Sequence, residues 1–159
     1  MNYENFEKVT GIIQDISRGD NCCTQMISIQ TDTGMVNMVV SPDTRVIDDV
    51  RLRKGMRVAA FYDTSLPAPA IFPPQYQAEL IASLRKEQDV MLNYFDENLR
   101  AEDDSLELNI GPFTSIATAN GQRFLCSPGN SELLVYYTTT TFSIPPQTTP
   151  QRIIVMCPY

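Results

Sequence analysis

Residues 71–82 read IFPPQYQAELIA, and residues 144–155 read IPPQTTPQRIIV. Each places Pro-Pro-Gln a few residues ahead of an apolar run. The first run is ambiguous. QAELIASLRKEQ (77–88) contains good helix formers, with Leu80, Ile81 and Leu84 at helical spacing. Its partner RIIVMC (152–157) is β-branched and ends at a proline, which reads as a strand. If the two segments are copies, residues 78–83 form a strand and LRKEQD (84–89) is the joint between two units.

The surrounding sequence supports copying. VSPDTRV (40–46) aligns with IGPFTSI (110–116), and AAFYDTS (59–65) with LVYYTTT (134–140). These blocks and the two Pro-Pro-Gln segments recur in the same order at nearly constant spacing, the mark of an internal repeat. The first unit reads as five strands: KVTGIIQDI (8–16), TQMISIQTD (24–32), TGMVNMVV (33–40), LRKGMRVAAFY (52–62) and QAELIA (77–82). SPDTRVIDDVR forms an irregular link before the fourth. Gly11 inside the first marks a bulge or a bend. Asp32-Thr33-Gly34 and Lys54-Gly55 mark turns. The second unit reads as VMLNYF (90–95), SLELNI (105–110), RFLC (123–126), ELLVYY (132–137) and RIIVMC (152–157). Short strands separated by turn signals suggest a sandwich or barrel. The expected fold is all-β, with two tandem, diverged five-stranded units, residues 1–84 and 85–159, packed together.

The chain has 159 residues and a hydrophobic content of 43%, enough to bury a core. Each unit alone is small, and small domains bury less of their surface. The net charge of −7 argues against generic binding to nucleic acid or to anionic membranes. The absence of histidine excludes Ser-His-Asp and Cys-His catalysis, HExxH zinc chemistry and histidine pH switching. There is no GxGxxG or GxxxxGK[ST] motif for nucleotides. The N-terminal MNYENFEKVTG lacks the features of a secretory signal, and no apolar run approaches membrane-spanning length. The expectation is a cytoplasmic protein with reduced thiols, no enzyme, no cofactor and no membrane association.

A unit opening with VTGIIQDI, carrying SPDTRV and then LRKGMRVAAFYD, resembles an OB-like barrel. The tandem arrangement is similar to that of uncharacterised OB-like β-domain proteins of clostridia and related Firmicutes. Those often sit beside a copper amine oxidase N-terminal-like (stalk) domain. The resemblance covers nearly the whole chain and carries no catalytic motif. It implies two OB-like barrels, in which the loop between the fourth and fifth strands contacts ligands.

That loop holds Pro73 and Pro74 in the first unit and Pro145 and Pro146 in the second. Proline pairs can serve as stiff polyproline II connectors. Aromatic residues gather near them: Phe61, Tyr62, Phe72 and Tyr76, then Tyr136, Tyr137 and Phe142. Such rings can stack on a base, a sugar or a partner's side chain. The leading expectation is a binding or assembly module with a protein partner or with itself. The alternative is an OB-type binder of single-stranded nucleic acid or oligosaccharide. It would use the basic cluster Arg51, Arg53, Lys54 and Arg57 with Tyr62, Phe72 and Tyr76. That cluster also reads as charge guarding a strand edge.

Glu102-Asp103-Asp104 lacks the spacing of a calcium loop and reads as a solvated hairpin tip. The spacing of Cys22, Cys23, Cys126 and Cys157 is wrong for structural zinc, so no metal is expected. Cys22-Cys23 in a polar turn could act as a thiol sensor. Cys126 and Cys157, in expected strands, read as small buried apolar residues.

Overall fold

A computed structural model describes residues 3–157. The protein is all-β, and its chain divides into two compact units that meet at Lys86 and Glu87.

In the first unit, β1 (Phe6–Arg18), β2 (Gln25–Thr31) and β3 (Gly34–Val40) form an antiparallel meander. The turn Asp32-Thr33 joins β2 to β3, with Gly34 at φ +136°, a conformation that favours glycine. After the short β4 (Arg45–Val46) and a 3-10 turn at Ile47–Asp49, β5 (Arg57–Asp63) pairs antiparallel with the first half of β1. The second half of β1 pairs with β2. Gly11 lies just before this change of partner, and a Cβ there would overlap the backbone carbonyl of Gln30. The register irregularity itself falls later, between Ile13 and Asp15. Gly11 therefore marks a close backbone approach, and the bulge lies elsewhere.

The segment read in the sequence as one closing strand is two. β6 (Gln75–Gln77) runs parallel to β3, and β7 (Leu80–Ser83) runs antiparallel to β5 and parallel to β4. Ala78 N–H donates to Val39 O at 2.9 Å, and Glu79 N–H donates to Phe61 O at 2.8 Å. Two successive amides thus bond to β3 and to β5, so this one segment joins the two outer strands of the run β5-β1-β2-β3.

The second unit contains β8 (Asp89–Phe95), β9 (Glu107–Leu108), β10 (Ser115–Thr118), β11 (Ser131–Tyr137), β12 (Gln147–Thr148) and β13 (Arg152–Val155). β11 lies antiparallel to β8 and β13, β10 runs parallel to β13, and β12 runs parallel to β9. These are the relations of β5 to β1 and β7, of β4 to β7, and of β6 to β3. No named strand stands where β2 would. Its place is taken by bridges from Ala101 to Phe95 and from Arg100 to Glu107.

Several sequence expectations change here. RFLC (123–126) is not a strand: Arg123 bridges Ala117, while Leu125 and Cys126 are exposed. The strand is Ser115–Thr118, which begins at the end of the block that aligns with β4. SLELNI shortens to two paired residues, and Ile110 is exposed. Neither unit has five strands, because β4 and β6 are separate in the first and β2 is reduced in the second. The bonds just ahead of the two Pro-Pro pairs, Phe72-Pro73 and Ile144-Pro145, are cis.

The aligned blocks make the same hydrogen bonds. Thr44 Oγ1 accepts from Ser41 N–H (3.0 Å) and donates to Ala78 O (2.8 Å). Thr114 Oγ1 accepts from Gly111 N–H (3.1 Å) and donates to Pro150 O (2.7 Å). Each threonine ties its turn to the residues just ahead of the closing strand. Thr44→Val or Thr114→Val keeps the β-branched shape but orphans a part-buried carbonyl. Each is expected to cost about 1–2 kcal/mol in urea denaturation; a loss below about 0.5 kcal/mol counts against the tie.

The cores are apolar and mostly aliphatic. Ile13, Ile27, Ile29, Met38, Val58 and Ile81 centre the first, and Phe95, Leu106, Leu133, Val135, Ile153 and Val155 the second. Among the described residues, one buried side-chain atom is unsatisfied: Thr10 Oγ1 finds no hydrogen-bond partner. Thr10→Val removes that hydroxyl at nearly constant shape. It is expected to raise stability by about 1 kcal/mol, read as a higher urea midpoint at unchanged slope.

Candidate binding surface

The loop between β5 and β6 starts from a pair of tyrosines. Tyr62, near the end of β5, and Tyr76, in β6, stack with ring centroids 3.9 Å apart and planes 11° apart. The Tyr62 hydroxyl donates to Glu7 Oε2 at 3.0 Å. Burial, then this bond, hold its ionisation well above the usual tyrosine range. Beside the pair is a cleft of about 180 Å³ lined by Tyr62, Asp63, Pro67, Pro69 and Tyr76. The same loop exposes Leu66, Ile71 and Phe72.

A second depression shares Val39 and Gln77 with this cleft, so the two form one groove. It is lined by Asp20, Asn21, Ser41, Asp43 and Glu79. Partial burial, then Asp63 and Asp43, raise the Glu79 carboxyl above its ordinary value of 4.5. A carboxyl raised by folding binds its proton more tightly in the native state. Stability is therefore lost as pH rises from the ordinary value through the raised one. Glu79→Gln is expected to raise the urea midpoint at neutral pH. That advantage should vanish as pH falls below the ordinary carboxylate range. An equal advantage at both ends would show that ionisation is not its source.

The corresponding loop of the second unit, 138–146, holds Phe142 and Ile144 fully exposed. Its base is fixed by Thr141, whose N–H donates to Gln147 O (2.9 Å) and whose Oγ1 accepts from Gln147 N–H (2.9 Å). The tyrosine stack is not repeated. Tyr137 is half-buried at the place of Tyr62, its hydroxyl raised by burial and by Asp89, but Thr148 stands where the alignment sets Tyr76. The expected aromatic cluster also separates, because Phe61 and Tyr136 are buried. The four loop prolines are half-buried. Pro74 O accepts from Asn37 N–H at 2.8 Å, and Pro146 O from Glu107 N–H at 2.9 Å.

The basic residues lie elsewhere. Arg51, Arg53 and Lys54 are exposed just ahead of β5, while Arg57 opens it, half-buried, and donates to Arg85 O at 3.1 Å. Lys54 Nζ lies 3.4 Å from Asp15. Arg57 and Tyr62 stand near opposite ends of β5, roughly 17 Å apart at strand rise. The cations and the stacked tyrosines therefore stand toward opposite ends of the strand.

Cys22 and Cys23 are exposed beside Asn21, whose Oδ1 accepts from Cys23 N–H at 2.8 Å. Cys126 is exposed and Cys157 half-buried, which corrects the expected burial of both. Glu102, Asp103 and Asp104 are exposed in a turn, where Ser105 and Asn93 bond to Asp103 and hold its carboxyl below the usual range. Among the described residues no group of three or more Cys, Asp or Glu could hold a metal ion. No described helix is long and apolar enough to cross a membrane. Comparison with protein-family models, curated proteins and solved structures finds no match to the chain.

Proposed function

We propose that the chain is a non-catalytic binding and assembly module of two diverged OB-like units, working through the loops that precede β6 and β12. One observation carries this reading. Phe72 and Ile144 occupy the same place, directly before the Pro-Pro-Gln of their units, and are 92% and 99% exposed. Holding a large apolar side chain in water at matched positions of two anchored loops has no use in folding. Large apolar groups held exposed in this way mark contact surfaces. In OB folds the corresponding loop contacts ligands.

Light scattering behind a sizing column tests this at physiological salt and rising concentration. The wild type is expected to exceed its monomer mass of 17.9 kDa. Phe72→Ser with Ile144→Ser should return it to monomer without changing the circular dichroism spectrum or the unfolding midpoint. A wild type that stays monomeric throughout refutes assembly.

The stacked tyrosines favour a second reading, a flat ligand lying against Tyr62 or Tyr76 in the cleft. The carboxylates around the groove repel phosphate, so a neutral oligosaccharide suits it better than nucleic acid. That ligand would bind independently of salt and lose affinity in Tyr76→Ala, measured by calorimetric titration.

A further inference from the structure

We propose that the groove of the first unit receives the Arg51–Lys54 turn of a second copy of this chain, so that molecules associate head to tail. This rests on the assembly reading and names its partner.

The groove has the sign of an acceptor for cations. Asp20, Asp43, Asp63 and Glu79 line it, and none forms an ion pair among the described residues. Partial burial and mutual repulsion already act on Glu79, so a cation arriving there would relieve a strain in charge. The adjoining tyrosine faces and the apolar loop suit a guanidinium, which stacks as well as pairs.

The donor is on the same chain. Arg51 and Arg53 are exposed and have no acidic partner among the described residues. Leu52 between them packs against the core, which fixes the turn and limits the entropy lost on docking. The turn stands at the opposite end of β5 from Asp63, Arg57 opening the strand and Asp63 closing it, about 20 Å apart at strand rise. Asp63 thus lies beyond the reach of its own Arg51 and Arg53, and in the proposed contact the donor comes from a second molecule. The patches differ, so the contact is heterologous, and each added copy still offers a free groove and a free turn.

Two exposed charge-reversed variants test this, Arg51→Glu with Arg53→Glu and Asp20→Lys with Asp43→Lys. Circular dichroism confirms that each is folded. Sedimentation should show association weakened roughly tenfold or more in each variant alone. Association should return in their equimolar mixture, where reversed turn meets reversed groove. Both variants remain net negative, so bulk attraction cannot explain recovery. Association unchanged in both variants overturns the head-to-tail contact; the assembly reading then stands if Phe72→Ser with Ile144→Ser still abolishes it. Variants that weaken association without recovery in the mixture also overturn it. A wild type that never associates removes both.

Discussion

Phe95→Ala is expected to cost the second unit about 3–5 kcal/mol. Phe95 is fully buried, at the end of β8, among Ala101, Leu106, Leu133 and Ile153. It also holds the bridge to Ala101 that stands in for a missing strand. Truncation removes the ring's transfer energy and leaves a cavity. The ring packs against strands on one side and the irregular 99–106 segment on the other, so collapse around the void would disturb paired backbone. A unit of roughly seventy residues has only about 4–10 kcal/mol of stability to lose. The variant should therefore unfold in two stages in urea, the second unit first, followed by circular dichroism and by tyrosine fluorescence, since the chain has no tryptophan. A single transition within about 1 kcal/mol of wild type would show that another residue organises this core.

Gly11→Ala should be nearly as damaging to the first unit, at about 3 kcal/mol, the upper end of typical overpacking costs. Alanine ordinarily gains about 0.5–1 kcal/mol over glycine in a strand. Here the added methyl meets the Gln30 carbonyl, with Ile29 Cγ2 2.8 Å away. The carbonyl is backbone and cannot rotate aside, so β1 and β2 must separate where β1 changes partner. Native-state hydrogen exchange should show the faster exchange concentrated in β2. Gly34→Ala is the control: a Cβ there meets nothing within 4 Å and the only penalty is the φ of +136°. If both substitutions cost the same, conformational preference explains Gly11 and close approach does not.

The all-β class was legible because the apolar runs are continuous. AAF, LLVY and IIV are buried at successive positions, and strands covered on both faces read as unbroken apolar stretches. The segment at 77–83 was legible only through its partner: LIAS on its own has helix formers, and pairing with β5 overrides that preference. β10 was missed because four residues beside a Pro-Phe-Thr turn resemble a loop, as do the aligned β4 residues within SPDTRVIDDVR. RFLC misled for the opposite reason, since its apolar letters are largely exposed. The candidate surface was half legible. Composition located Phe72 and Phe142 on loops, but nothing in it distinguished the exposed Phe72 from the buried Phe61. The stacking of Tyr62 on Tyr76 depends on the β3–β6 pairing. The carboxylates of the groove come from four separated segments, which no local motif records.

The Ala78-Glu79 step also bears on the order of events during synthesis. β1, β2, β3 and β5 all leave the ribosome before residues 75–83, at roughly 5–20 residues per second. Until those residues emerge, β3 and β5 each have an unclaimed row of backbone donors and acceptors, the feature that invites pairing with another chain. The nascent first unit thus passes through an interval, ended by a single short segment, in which it is open to misassembly. A ribosome stalled before Gln75 would prolong that interval, whereas one stalled well after Ser83 would carry a unit already sealed.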